Sequence, residues 1–99
     1  MTVAQIKKIV KEVMAEEPDS QYIQSVALFG SYLHGNERQD SDIDLLYETN
    51  RTMTLFQTGG LQYLLQKKLG HKVDFVPKHG VIPQLRDSII PEAQTIYEK

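Results

Sequence analysis

The sequence predicts a protein of the α/β (α+β) class, because helical and extended patterns alternate along the chain. Apolar residues recur at helical spacing over residues 3–14, a run rich in β-branched residues occupies 23–29, and a period-two pattern occupies 43–47. With 99 residues, of which 40% are hydrophobic and 24% charged, the chain is long enough for one modest core but not for two. We therefore expect a single domain over residues 1–99.

The first helix and the first strand lead into a glycine turn. Thr2 and Gln5 are spaced as a capping box, which marks the start of the first helix. The apolar run from Ile23 to Phe29 is typical of a buried strand, and Gly30 ends it. A short helix from Ser31 to His34 is expected to follow.

The second strand carries one apolar and one largely acidic face. A period of two places alternate residues on opposite faces of a strand. One face is predicted to hold Ile43, Leu45 and Tyr47, and the other Asp42, Asp44 and Leu46.

The sequence indicates where the third helix ends but not where it begins. Its apolar stripe comprises four leucines, and Gly70 follows in the position of a C-cap. Gly59 and Gly60 would each cost about 1 kcal/mol inside a helix, so a turn at Leu55 and a continuous helix both remain possible beginnings. The leucines of the stripe are Leu61, Leu64, Leu65 and Leu69.

The C-terminal third is predicted to add two strands and a helix. A strand from Lys72 to Val76 ends at Pro77. A helix then extends from Ile82 to Ile90, and residues 93–97 form an edge strand.

Composition narrows the class of ligand and the compartment. A formal net charge of −2 does not provide the broad positive field that binds duplex nucleic acid, so small charged ligands are favoured and direct nucleic-acid binding is not expected. The absence of cysteine removes disulfides and thiolate zinc sites. Neither a signal peptide nor a membrane span is indicated, so we expect a cytoplasmic protein with no membrane partner.

One short motif carries most of the chemical information. Gly30 and Ser31 stand ten residues ahead of Asp42, and Asp44 follows after a single residue. A glycine turn that opens a helix offers backbone N–H groups and a hydroxyl to an anion. Two aspartates on one face of a strand, with Cα atoms roughly 6.6 Å apart, can share divalent cations that offset their mutual repulsion. The spacing indicates a nucleotide and metal site.

A further aspartate lies within an apolar segment. Asp74 is surrounded by Val73, Phe75 and Val76, and a carboxylate buried there would need a metal ion or a cationic partner. Lys72 and Lys78 are the alternative partners. We expect Asp74 to be the third ligand of the site.

The chain resembles the minimal nucleotidyltransferases of the DNA polymerase β superfamily through Gly30-Ser31, ten residues, and Asp42-Ile43-Asp44. That resemblance implies a polymerase β-like fold, with a small mixed sheet flanked by helices, two Mg²⁺ ions (or Mn²⁺) and ATP as donor. It implies that Gly30 and Ser31 bind the β- and γ-phosphates and that Asp42 and Asp44 bind both ions. Asp74 would hold the ion on the acceptor side, and the three aspartates together would form the catalytic set.

The same resemblance implies a partner and three possible activities. Small members commonly accompany a HEPN ribonuclease toxin and neutralise it by transferring AMP to a tyrosine, as in a type VII-like toxin–antitoxin pair. An antitoxin that only masks the toxin and an aminoglycoside-type nucleotidyltransferase are the alternatives. His34 stands where many members carry arginine, and no histidine is a predicted metal ligand. Leu55 and Phe56 could form either a partner surface or part of the core.

Overall fold

A computed structural model describes residues 1–38 and 40–99. Within those residues the chain forms four α-helices and a four-stranded sheet. The helices are α1 (Val3–Glu16), α2 (Ser31–His34), α3 (Leu55–Leu69) and α4 (Pro83–Glu92). The strands are β1 (Ile23–Phe29), β2 (Ile43–Thr49), β3 (Val73–Pro77) and β4 (Gln94–Glu98). The predicted α/β (α+β) class is confirmed.

The sheet is mixed, as the resemblance implied. Its strand order is β3-β2-β1-β4, with β1 antiparallel to both β2 and β4 and with β3 parallel to β2. The parallel pair is connected through α3, whose length spans the return between the two strands. The acidic end of β2 therefore lies between the end of β1 and the start of β3.

The core lies between one face of the sheet and helices α1 and α3. Alternate residues of the two central strands point into it, and their side chains are fully buried. The capping box of Thr2 and Gln5 starts α1 as predicted, and α1 contributes the same kind of apolar stripe. The completely buried side chains of these elements are Ile6, Val10, Ile23, Val26, Leu28, Ile43 and Leu45.

Helix α3 begins at Leu55 and continues through both glycines. A second capping box explains this start, because Thr54 accepts a hydrogen bond from the Gln57 N–H and the Gln57 side chain accepts one from the Thr54 N–H. Leu55 and Phe56 are 91% and 92% exposed, so they do not belong to the core. Of the two alternatives for these residues, the core is excluded and a surface position is found.

The last elements differ from the prediction only at their ends. Strands β3 and β4 are each displaced by one residue, and α4 extends to Glu92 with Pro91 inside its last turn. A proline so close to the end removes a single backbone hydrogen bond, which a terminal turn tolerates. Along the described residues, no helix combines the length and the apolar character that a membrane crossing needs.

Candidate active site

Gly30 brings the end of β1 against a carboxylate of β2. Its backbone has φ +78° and ψ −153°, a conformation that residues other than glycine rarely adopt. A Cβ at this position would overlap Asp44 Oδ2 and stand 3.0 Å from Asp44 Cγ. The position therefore requires glycine twice, once for the backbone angle and once for the close approach.

Ser31 follows at the first position of α2, a four-residue helix. The Gly30 carbonyl accepts hydrogen bonds from the N–H groups of Leu33 and His34 at 3.2 and 3.3 Å. The N–H groups at the start of a helix have no partner within that helix, which leaves them available to an anion. Among the described residues, the Ser31 hydroxyl has no hydrogen-bond partner. The Gly30 backbone, which lies against the Asp44 carboxylate, is therefore followed directly by a residue with a free hydroxyl donor.

The register of the sheet brings the acidic residues together. Asp44 lies opposite Phe29 of β1 on one side and opposite Asp74 of β3 on the other. Asp42 precedes β2 by one residue and is half-buried like Asp44. Because the two residues are two positions apart on extended backbone, they point to the same side of the sheet.

The charges of two neighbouring carboxylates act on Asp44. Burial is the main cause that raises the pKa of Asp44 from 3.8 to about 6, and the charges of Asp74 and Asp42 add to the shift. Like charges disfavour one another's ionised form, and this effect requires proximity. Asp44 is therefore the centre of a repulsive acidic cluster that consists of Asp42, Asp44 and Asp74.

Asp74 is exposed, so the prediction of a carboxylate buried in an apolar strand is wrong. The apolar neighbours Val73 and Phe75 point into the core, whereas Asp74 points to the opposite face of the edge strand. Within the described residues neither Lys72 nor Lys78 forms an ion pair with it, and Lys78 binds Glu48 at 3.0 Å instead. The carboxylate is thus accessible rather than compensated.

The acidic cluster fits a divalent cation by its chemistry but is not a preformed cage. In residues 1–38 and 40–99, no three acidic or histidine side chains stand in the geometry of a complete metal site. The donors are carboxylate oxygens, which Mg²⁺ and Mn²⁺ prefer, and their repulsion at Asp44 would be relieved by a bound cation. Asp42, Asp44 and Asp74 are the residues that would hold it, and their role as ligands stays a prediction.

A contact between Tyr32 and His71, which sequence patterns did not indicate, holds α2 in place. The hydroxyl of Tyr32 is 3.2 Å from His71 Nδ1, and the two rings meet edge to face with centroids 5.8 Å apart. Tyr32 is buried; burial, and secondarily the charge of Glu37, raises the pKa of its phenol. The contact joins α2, which directly follows Gly30, to the segment that precedes Asp74. A separation of 39 residues left no spacing signal by which it could be found.

The other histidines lie outside the acidic cluster. His34 is half-exposed on α2, as expected for the surface of a helix, and its Nε2 is 3.2 Å from Glu92 Oε2 at the end of α4. His79 is exposed in the short 3₁₀ turn Lys78–Gly80. His34 therefore links α2 to α4.

The nucleotidyltransferase domain family matches residues 6–96 of the chain. A relative in Methanocaldococcus jannaschii, named as a protein adenylyltransferase, is 33% identical over 99 residues, and the alignment covers 97% of each protein. A solved minimal nucleotidyltransferase is 31% identical, with a TM-score of 0.75 and coverage of 94% of both chains.

Two further solved structures share the fold at lower identity. A toxin–antitoxin structure with AMP-PNP superimposes with a TM-score of 0.77 at 21% identity, covering 94% of this chain and 73% of the other. A structure of a tri-AMPylated Shewanella oneidensis HEPN toxin in complex with an MNT antitoxin gives a TM-score of 0.69 at 22% identity. The match covers 100% of this chain and 74% of the other. The predicted fold family is confirmed.

Proposed function

Because the chain belongs to the nucleotidyltransferase domain family, we propose that it transfers AMP from ATP to a tyrosine hydroxyl of a HEPN ribonuclease toxin and thereby acts as its antitoxin. The observation that carries the proposal is the acidic cluster, set directly against the Gly30 turn. The adenylyltransferase relative, the AMP-PNP complex and the AMPylated toxin complex support the same reaction. The pair would act in the cytoplasm, where ATP is available.

In the proposed reaction one group of residues binds the phosphates of ATP and another group binds the metal ions. N–H groups at Gly30 and Ser31, together with the Ser31 hydroxyl, would hold the β- and γ-phosphates. Asp42 and Asp44 would hold two Mg²⁺ ions, with Asp74 as a further ligand on the acceptor side. When bound, the ions supply Lewis-acid polarisation of the α-phosphate and neutralise the charge of the departing pyrophosphate.

The chemical step is an in-line displacement at the α-phosphorus. Asp74 would orient the acceptor hydroxyl and accept its proton, which its exposed position permits. The acceptor oxygen forms a bond to the α-phosphorus while the bond between that phosphorus and the β-bridging oxygen breaks. Pyrophosphate leaves with the electron pair. An exposed carboxylate on an edge strand suits an acceptor that is itself a folded protein.

The test is intact-mass spectrometry of the toxin encoded beside this chain, after incubation with the chain, Mg²⁺ and ATP. We expect the toxin to gain the mass of one or more AMP groups. Asp42→Asn should abolish the gain, whereas Asp87→Asn, the same chemical change at an exposed position of α4, should leave it intact. An unmodified toxin in a stable complex would contradict the proposal and support masking. Aminoglycoside resistance in cells that contain only this chain would contradict it in favour of a small-molecule acceptor.

A further inference from the structure

Strand β3, which carries Asp74, lies at the edge of the sheet. The Ile43 N–H of β2 donates to the Lys72 carbonyl at 2.9 Å, so the backbone groups of Lys72 face the sheet. Groups of alternate residues point in opposite directions along a strand. The N–H and the carbonyl of Val73 consequently point away from β2, to a side where the described residues provide no further strand.

Two glutamines of α3 occupy the place of that missing strand. Gln62 Nε2 donates to the Val73 carbonyl at 2.8 Å, and the Val73 N–H donates to Gln66 Oε1 at 3.1 Å. Gln62 and Gln66 are four residues apart and therefore lie on one face of the helix. The donor and acceptor of Val73 also determine which end of each amide faces it.

The contact differs from the apolar packing around it because it has a direction. Leu61 and Leu65 of α3 are buried in the core and hold the helix against the sheet. Hydrophobic contact is non-directional and tolerates small displacements along a strand. Two hydrogen bonds to the same residue, one donated and one accepted, define the height of β3 relative to α3.

We propose that Gln62 and Gln66 are a pair of positioning residues that fix Asp74 through the backbone of Val73. Asp74 is the next residue in the chain and lies in register with Asp44, so a displacement of Val73 moves the acceptor-side carboxylate away from the other two. The consequence for catalysis rests on the proposed function. The mechanical claim, that the two amides hold the edge strand, does not.

Four charged substitutions test the pair because the two positions need opposite hydrogen-bonding groups. Position 62 must donate, so Gln62→Lys should preserve the contact and Gln62→Glu should break it. Position 66 must accept, so Gln66→Glu should preserve the contact and Gln66→Lys should break it. The same two substitutions at Gln84, which is exposed on α4, are the controls.

Two measurements distinguish positioning from a general effect on structure. Gln62→Glu and Gln66→Lys should lower kcat for AMP transfer by about tenfold or more, with KM for ATP nearly unchanged, because the Gly30 turn is not disturbed. The amides of Val73 and Asp74 should exchange with deuterium roughly tenfold faster in these two variants and at the wild-type rate in the preserving pair.

We expect lysine to be tolerated at position 62 but not at position 66, and glutamate to be tolerated at position 66 but not at position 62. If lysine has the same effect at both positions, and glutamate the opposite effect at both, net charge explains the result and the proposal is overturned. Unchanged amide exchange in the breaking variants also overturns it. If the wild-type chain transfers no AMP, the proposed function fails, and the exchange rates alone still decide whether the two glutamines hold the strand.

Discussion

Asp44 is unfavourable for the stability of the fold but is needed for the proposed reaction. It is half-buried, it faces Asp74 across the parallel pair of strands, and the Gly30 backbone is packed against its carboxylate. Burial and two neighbouring negative charges raise its pKa to about 6. Such a group reduces the stability of the chain without cations, and this reduction is the physical sign of a binding site rather than of a structural ion pair.

Asp44→Asn should stabilise the cation-free chain at neutral pH. The pKa of Asp44 is higher in the folded chain than in the unfolded one, so the folded state holds its proton more strongly. Its contribution to the free energy of unfolding is therefore most favourable below about pH 4, declines as the pH rises to about 6, and stays low above that. After allowance for solvent screening, we expect a gain of about 1 kcal/mol at pH 7.

Urea unfolding of both proteins between pH 4 and pH 8, in the presence of a chelator, measures this effect. The two curves of stability against pH should separate as the pH rises. Curves that remain parallel throughout would mean that the pKa of Asp44 is not raised in the folded chain.

Gly30→Ala should disable the site, whereas Gly35→Ala serves as its matched control. Both glycines have a positive φ, +78° and +76°, so both variants incur backbone strain of about 1 kcal/mol or more. Only at Gly30 would the new methyl group meet the Asp44 carboxylate, since Gly35 has open space within 4 Å. We expect Gly30→Ala to lose AMP transfer and Gly35→Ala to keep it at a temperature where both are folded. Equal activities would show that the turn does not contact the reacting groups.

At the scale of elements, α3 has two separate faces. Its inner face packs Leu61 and Leu65 into the core and directs two glutamines to β3. Its outer face presents Phe56, Gly59 and Gly60 to solvent. The glycines weaken the helix, but the capping box at Thr54 and the buried leucines suffice to form it.

Replacement of Gly59 and Gly60 by alanine should stabilise α3. Both are helical and exposed, and a Cβ at either position meets nothing within 4 Å. Each substitution should add roughly 0.5 to 1 kcal/mol to the free energy of unfolding. For the double variant, thermal unfolding followed by circular dichroism should show a Tm higher by several degrees. A lower Tm would indicate that the outer face of α3 is less open than the structure shows.

At the scale of the whole molecule, the order of the elements was accessible from periodicity and capping residues alone. The capping box at Thr2, the strand that ends at Gly30 and the edge strand near the C-terminus could all be predicted. The start of α3 could not, because glycine propensity and the Thr54 cap give opposite indications.

The candidate site could be predicted in its residues but not in its surroundings. The spacing of Gly30, Asp42 and Asp44 is local, so the sequence displays it directly. The exposure of Asp74 depends on which strand lies at the edge, and the contact between Tyr32 and His71 depends on packing across 39 residues. Periodicity contains no information on either.

Magnesium should stabilise the wild-type chain and leave Asp44→Asn almost unaffected. A cation that binds only the folded state raises the free energy of unfolding, and 100-fold excess over Kd adds about 2.7 kcal/mol. The relevant measurement is Tm as a function of MgCl₂ at pH 7.5, with KCl of matched ionic strength as the control. If both proteins respond equally, the ion binds outside the acidic cluster.

A crystal structure of the chain with AMP-PNP and Mg²⁺ would show whether the Gly30 turn and the acidic cluster form one nucleotide site. We expect the triphosphate to contact the backbone at Gly30 and the Ser31 hydroxyl, with Mg²⁺ bound by oxygens of Asp42, Asp44 and Asp74. A nucleotide bound elsewhere, or these carboxylates turned away from a fully occupied triphosphate, would show that the acidic cluster is not the catalytic site.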